Sequence, residues 1–458
     1  MTSGWRADRE VATGLAERLW SASWTAYELG EVVGRSLGTR ELWVGALVEE
    51  ILVLFPGRRP EQLAELADVV AHSEVFVEAG LLARQRGLPF RLVDAPAAAA
   101  DQAAVSRGWP VPRLRDEREL AAWLELSLGQ LLWLGDACGY QVRAGPGLFH
   151  AYDYRWTARA GRVPRLLEAP QPILKRVQGE LLHRLLSAIP VHPAAHGFVV
   201  GRSVRTHARQ HLGADQLVTV DLRHFFADVG RHRVLGLLRM AGYPEPVARA
   251  VTNLCSTRTP EHVLRRMPSG GSSDDRYRLR TRLRSAHLPQ GAPTSPVLAN
   301  LVCFMLDQRL TGYAGSVGAT YTRYADDLTL SGGAEFRLTP SSAVLRGLSR
   351  IVTAEGFSIN PAKTRVRTRA ERQLVTGVVV NERPNVPRPQ YDRLRAVLHE
   401  ARTRGPRAAN REGHPDFRSH LTGRVEWVSS LNPARGRRLR ADLDAIEWES
   451  ADPAGAAN

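Results

Sequence analysis

Tyr324-Ala325-Asp326-Asp327 sets two adjacent carboxylates between residues 318–323 and 328–331, both rich in apolar and β-branched residues in the pattern of a hairpin. A strand sends alternate side chains to opposite faces, so a tight turn is the practical way to bring neighbouring aspartates toward one cation. Such a pair suits divalent metal in phosphoryl or nucleotidyl transfer. The alternative is a solvated Asp-Asp turn, and the chain offers one for comparison. Asp274-Asp275 lies in Ser-Gly-Gly-Ser-Ser-Asp-Asp-Arg with nothing apolar around it and reads as a loop. A third carboxylate separates the two cases. Asp221 closes the apolar strand run Leu217-Val-Thr-Val and is followed by Phe225 and Phe226, and Leu288-Pro-Gln-Gly-Ala-Pro then opens an apolar helix over 297–306.

Strand-Asp, Pro-Gln-Gly-to-helix and aromatic-Ala-Asp-Asp, in that order, resemble palm motifs A, B and C of reverse transcriptases. Four further segments narrow the resemblance to the retron type, from about residue 156 to the C-terminus. It implies an α+β right-hand polymerase with fingers, a palm bearing an antiparallel sheet, and a helical thumb. It also implies DNA synthesis on an RNA template with two Mg²⁺ ions about 4 Å apart, lowering the pKa of the primer hydroxyl and neutralising pyrophosphate. Mg²⁺ prefers carboxylate and phosphate oxygens. Asp221 and Asp326 would bridge the ions, with Asp327 alongside and the Leu222 carbonyl a further ligand. Phe226 matches the steric gate that excludes a 2′-hydroxyl, Gln290 the residue bracing the sugar, and Gly291 a point of close backbone approach.

Residues 154–170 read as two strands around Ala160-Gly161, and they match the finger hairpin. Arg165 takes the position that meets the incoming triphosphate, where a planar fork can hold two phosphate oxygens; Arg159 and Arg162 are the hairpin's other cations. Lys363, in Gly356-Phe-Ser-Ile-Asn-Pro-Ala-Lys, resembles motif D, where an ammonium can protonate departing pyrophosphate. The chain has 62 Lys plus Arg, of which only Lys175 and Lys363 are lysine. The other reading of Lys363 is a phosphate contact or an exposed side chain. Residues 371–381 read as a hairpin that resembles the primer grip, with the retron Val-Thr-Gly signature at Val375, Thr376 and Gly377. Ala208 and His211 fit the family's Asn-Ala-x-x-His element, with His207 in the Asn position. His192, His196, His207 and His211 lack a Glu or Cys to complete a metal site, so they read as solvated or RNA-contacting.

Composition bounds what must position these groups. A chain of 458 residues accommodates two to three domains. The formal charge of +15 points to a polyanionic partner. Residues 1–150 carry 15 Arg against 20 Asp plus Glu, a net of −5, so the rest carries +20 and the motifs lie in the basic part. Residues 1–145 read as a helical N-terminal region of unknown role, with helical periodicity over 40–55, 61–70 and 117–134. Trp20, Trp24, Trp43, Trp123 and Trp133 read as core rather than as a stacking surface. Fingers and palm are expected over 150–381, a basic helical thumb over 382–450, and a disordered tail over 451–458. Cys138, Cys255 and Cys303 form neither a zinc pattern nor a disulfide framework, and Cys303 reads as core. There is no apolar stretch long enough to span a bilayer, so a cytoplasmic protein is expected.

By resemblance, the partners are dNTPs, a cognate structured non-coding RNA, the RNA/DNA hybrid and an effector protein. The product is a branched RNA–DNA hybrid (msDNA) primed from a guanosine 2′-hydroxyl and used in defence against phage. A defence-associated reverse transcriptase without branched priming, a group II intron enzyme, an RNA polymerase and a catalytically silent RNA-binding protein are the competing readings.

Overall fold

The computed structural model describes residues 2–448 apart from 23, 40, 42, 88, 93–107, 138, 146 and 148–149. The side chains of 2–8, 27, 35 and 159 are also outside that set. Cys138, the Arg159 side chain and the tail at 451–458 therefore lie outside the described residues. The chain divides into two compact units between residues 105 and 106.

The first unit is helical, through Thr2–Trp20, Ala26–Leu37, Trp43–Leu54, Leu63–His72 and Glu74–Gln85. The apolar stripes of these helices close on Leu15, Leu19, Leu47, Ile51, Leu66 and Phe76. Trp20, Trp24 and Trp43 pack at its margin, and the Trp24 indole donates to the Phe55 carbonyl at 3.0 Å.

The second unit begins about 40 residues before the boundary expected near 145. Leu120, Leu124, Leu131 and Leu134 belong to the same core as the sheet strands that follow, which is why this stretch goes with them. Residues 117–134 form two helices, Glu117–Trp123 and Leu128–Leu134, rather than one. Glu125 turns the backbone to a φ of 57°, and Ser127 with Gln130 closes a capping box on the second helix. Trp123 is half-buried with the Arg184 guanidinium 4.2 Å above its ring. Trp133 is 46 % exposed, which corrects its expected place in the core.

A hairpin follows, β1 (Tyr152–Arg159) with β2 (Arg162–Pro170), turning at Ala160-Gly161 where Gly161 has a φ of 64°. Its partner helix Pro172–Arg184 buries Leu174, Val177 and Leu181, while Lys175 is exposed. The central sheet holds β3 (Gln216–Asp221), β4 (Ala319–Tyr324), β5 (Asp327–Gly332) and β6 (Arg365–Thr368) in the order β4-β5-β3-β6, all antiparallel. Leu217, Val218 and Val220 of β3 are almost wholly buried, as a strand paired on both edges requires. The apolar helix expected over 297–306 is broken at the buried Cys303 into Ser295–Val302 and Phe304–Ser316. Asp274-Asp275 is not a loop. Ser272 caps the helix Ser273–Arg284 by accepting from the Asp275 amide at 3.0 Å, and the two carboxylates sit at the positive end of the helix dipole.

The last sheet element is the hairpin β7 (Leu374–Val375) and β8 (Val378–Val379). Thr376 and Gly377 both have positive φ, 44° and 84°, as a two-residue type I′ turn demands. Helices Arg388–Arg404, Phe417–Leu431 and Pro433–Asp444 close a second core on Leu394, Leu398, Val425 and Leu439. Among the described residues no helix is long and apolar enough to cross a membrane.

Candidate active site

β3 and β5 pair so that Asp221 stands directly across from Asp327. The Leu222 amide donates to the Asp326 carbonyl at 2.9 Å, which ties the end of β3 to the turn between β4 and β5. That turn is Ala325-Asp326, with Ala325 at a φ of 54°, unusual for a residue with a side chain. Asp221 and the adjacent pair 105 and 106 residues further along the chain are thus gathered at one end of the sheet.

The electrostatics record their crowding. Burial, then the neighbouring Asp326 and Asp221, pushes the Asp327 carboxyl up to about 6 from an ordinary 3.8. Burial and Asp221 raise Asp326 as well, with Lys363 and Arg165 opposing. The Lys363 ammonium donates to Asp221 Oδ2 at 2.6 Å, and Asn360 donates to the other oxygen at 3.3 Å. Lys363 therefore supplies a positive charge to a site that carries too much negative charge for itself. Among the described residues no three His, Cys, Asp or Glu are already drawn together as a finished ligand set. The donor chemistry nonetheless fits Mg²⁺, which takes few protein carboxylates and completes its shell with phosphate oxygens and water.

These groups floor a cleft of about 580 Å³, within the range of small-molecule sites. Arg165, Phe226, Gln290 and Lys363 share its lining with Asp221 and Asp326. Leu222 lines it as well, though it is almost fully buried, and so does Arg162. Phe226 is half-buried and its ring lies 5.4 Å from that of the buried Phe225. Asp327 and Gly291 do not reach the lining. Gly291 approaches a protein backbone instead: its φ is 134°, and a Cβ there would fall 2.9 Å from the Glu168 carbonyl of β2. The neighbouring Gln290 carbonyl accepts from the Glu168 amide at 2.8 Å.

The family described as reverse transcriptase (RNA-dependent DNA polymerase) matches residues 161–386, the span that contains all of these groups. The chain is 39 % identical to the retron Mx65 reverse transcriptase of Myxococcus xanthus over 345 residues, 74 % of this chain and 73 % of that protein. It is 38 % identical to the retron Mx162 enzyme of the same organism over 72 % of this chain and 66 % of that protein. Against the retron Ec86 reverse transcriptase of Escherichia coli the identity is 30 %, over 62 % of this chain and 77 % of that protein. The chain belongs to the retron-type reverse transcriptases. Its fold is the right-hand fold of that family, mixed helix and antiparallel sheet, and its activity is RNA-directed DNA polymerisation.

Five positions expected to be solvated or to meet RNA or primer in this reverse transcriptase are buried: His192, His196, His207, His211 and Val375. His207 is fully enclosed, with its Nδ1 3.3 Å from the Thr376 hydroxyl. His211 is enclosed too, with its ring nitrogens 2.7 Å from Ser331 and 2.6 Å from Thr322. Burial, then neighbouring histidines, pushes these imidazoles down to about 2 and about 3, so they stay neutral in the interior. They connect the sheet to the β7–β8 turn and are neither solvated nor available to RNA. Val375 is also fully buried, in the second core. Thr376 is half-buried, and Gly377 is exposed at the hairpin tip.

One group escaped the sequence reading. Arg323, immediately before the aromatic-Ala-Asp-Asp signature, is fully buried and binds Asp307 with two hydrogen bonds, Nε to Oδ1 at 2.8 Å and Nη2 to Oδ2 at 2.6 Å. The available signal was a charge directly after the apolar run at 297–306, in Met305-Leu306-Asp307.

Proposed function

We propose that this reverse transcriptase copies a cognate structured non-coding RNA into DNA by nucleotidyl transfer at Asp221, Asp326 and Asp327. The observation that carries the reading is the convergence of those carboxylates beneath a cleft that also presents Arg165, Phe226 and Gln290. In that cleft Asp221 and Asp326 would hold two Mg²⁺ ions, with Asp327 beside them and the Leu222 carbonyl as a further ligand. Bound divalent cations supply activation of the primer hydroxyl and stabilisation of the leaving pyrophosphate. Arg165 engages the triphosphate through its planar fork. Phe226 closes the space under the sugar against a 2′-hydroxyl, and Gln290 orients that sugar. Lys363 delivers a proton to pyrophosphate from its place beside Asp221.

Residues 150–381 act as fingers and palm, with β1–β2 as the finger hairpin and Thr376-Gly377 as the primer-contacting tip. The Arg-rich helices of 382–450 serve as a thumb that grips the RNA/DNA hybrid through its phosphates, a shape-based and salt-sensitive mode. The relatives are named retron reverse transcriptases; by resemblance to that family, the product is a branched RNA–DNA hybrid made in the cytoplasm and used with an effector protein in antiphage defence. The helical region ahead of the polymerase is a candidate dock for that effector.

The deciding experiment is primer extension with Mg²⁺ and dNTPs on an RNA template, comparing the native chain with Asp326→Asn. The variant is expected to lose synthesis and keep RNA binding. Retained synthesis would overturn the assignment, and extension by ribonucleotides alone would make the chain an RNA polymerase. Sequencing the nucleic acid that copurifies from the native locus tests for the branched product.

A further inference from the structure

We propose that Arg323, with Asp307 and Asn300, is a positioning unit that fixes the turn carrying Asp326. This rests on the reading of Asp326 as a metal ligand given above, and it adds residues that do not themselves touch substrate or ion.

Among the described residues Arg323 heads the completely buried side chains by size. Burying a guanidinium is unfavourable unless every N–H finds a partner. Its pairing with Asp307 satisfies two of its donors, and Tyr321 adds a bond to the same Asp307 Oδ1 at 2.8 Å. That pair joins the helix Phe304–Ser316 to β4 and leaves the Nη1 arm still to be satisfied. Here the remaining arm, Nη1, reaches the Asn300 Oδ1 at 2.9 Å and the Ala325 carbonyl at 3.1 Å. The second of these belongs to the turn itself, one residue before Asp326.

The other side of the turn is held by the same network. Asn300 donates to the Gly197 carbonyl at 2.7 Å, and Gly197 lies so close that a Cβ would sit 2.7 Å from the Ala325 amide nitrogen. The Arg323 backbone is clamped as well, its amide to the Ala194 carbonyl at 2.8 Å and its carbonyl to the His196 amide at 2.7 Å. Ala325 keeps its positive φ because contacts on both sides over-determine it. With Ala325 fixed, the Asp326 carbonyl is placed to accept from Leu222, and the carboxylates of Asp221 and Asp326 face the same cleft.

The test separates positioning from plain stability. Arg323→Met combined with Asp307→Leu removes both charges together, a replacement buried pairs often tolerate without loss of folding. It leaves the Ala325 carbonyl without its donor. Four quantities are read on the full chain: Tm, RNA binding, extension on an RNA template, and Mn²⁺ affinity by EPR titration. The expected result is a Tm and RNA affinity near those of the native chain, with extension and Mn²⁺ affinity each at least about tenfold lower, the usual effect of losing a group behind a metal ligand. A folded double variant with native extension and native Mn²⁺ affinity overturns the proposal.

Should the double variant fail to fold, Arg323→Lys carries the same readout. Its ammonium can pair with Asp307 but cannot also span Asn300 and Ala325, so native Mn²⁺ affinity in that variant overturns the proposal too. Asp326→Asn is run in parallel. If it keeps synthesis, the metal-ligand reading itself fails; if it is dead while the Arg323 variants are native-like, only the positioning role fails.

Discussion

Asp327→Asn is expected to make the metal-free protein more stable while abolishing DNA synthesis. The carboxyl is pushed up to about 6 from 3.8 by burial and by its two acidic neighbours. A carboxyl whose folded pKa exceeds its unfolded value binds its proton more tightly in the fold. The fold has its full advantage below about pH 4, loses it as the pH climbs to about 6, and above that carries the whole penalty of an ionised side chain. Roughly two pKa units correspond to about 3 kcal/mol of destabilisation at neutral pH. An amide of the same shape sheds that penalty but still buries a polar group, which takes back about 1 kcal/mol. A net gain of about 2 kcal/mol raises Tm by about 3 °C in a unit of this size. Thermal unfolding in EDTA at pH 7.5 and at pH 5 provides the assay. The variant should lead at pH 7.5 and lose most of its lead at pH 5, where the native carboxyl is already protonated. Added Mg²⁺ should stabilise the native chain more than the variant. A variant less stable than the native chain at pH 7.5, or a lead that ignores pH, would refute the account of crowded carboxylates.

Three more expectations follow from the cleft. Phe226→Ala should lower discrimination against ribonucleotides at least about tenfold, since a lost steric contact in a pocket is worth about 1–3 kcal/mol; single-nucleotide incorporation of matched dNTP and rNTP measures it, and unchanged sugar selectivity counts against the gate. Lys363→Arg keeps a cation beside Asp221 but removes a proton donor, so the rate should fall about a hundredfold in single-turnover extension; a native rate would reduce Lys363 to a charge partner. Gly291→Ala forces a side chain into a φ of 134° against the Glu168 carbonyl and should destabilise the fold by about 1–3 kcal/mol, read by chemical denaturation; native stability would show that the approach to β2 has slack.

The strands and helices that carry chemistry were legible because their signals are local. The run ending in Asp221, the pattern around Asp326-Asp327, the Val-Thr-Gly turn and the basic C-terminal helices each fall where periodicity and turn chemistry put them. What was not legible depended on residues far apart in the chain. His207 and His211 look like surface histidines in an Arg-rich segment, yet the sheet closes over them, with His211 bonded to Ser331 and Thr322 and His207 to Thr376. Residues 106–145 read as part of an N-terminal region because their helical period says nothing about which core they enter. Asp274-Asp275 was legible in principle, through Ser272 three residues before Asp275, since a serine at that spacing marks a helix start even when no apolar residue is near.

Arg323 and Asp327 show why composition misleads at this site. One chain contains 60 arginines, most of them on the surface, so an arginine beside the acidic pair looks like one more solvated cation. Its burial follows from strand alternation: Tyr321 and Arg323 of β4 point to the same face, and both reach Asp307. Asp327, by contrast, looks like an equal partner of Asp326 in sequence, but it begins β5 across from Asp221 and stays out of the cleft lining. Two neighbouring acids therefore have different physical situations, one held by a braced turn and facing the cleft, the other crowded at the strand's start. The measurements on Asp327→Asn and on the Arg323 variants probe these two situations separately, because one alters charge without touching the brace and the other alters the brace without touching an acid of the cleft.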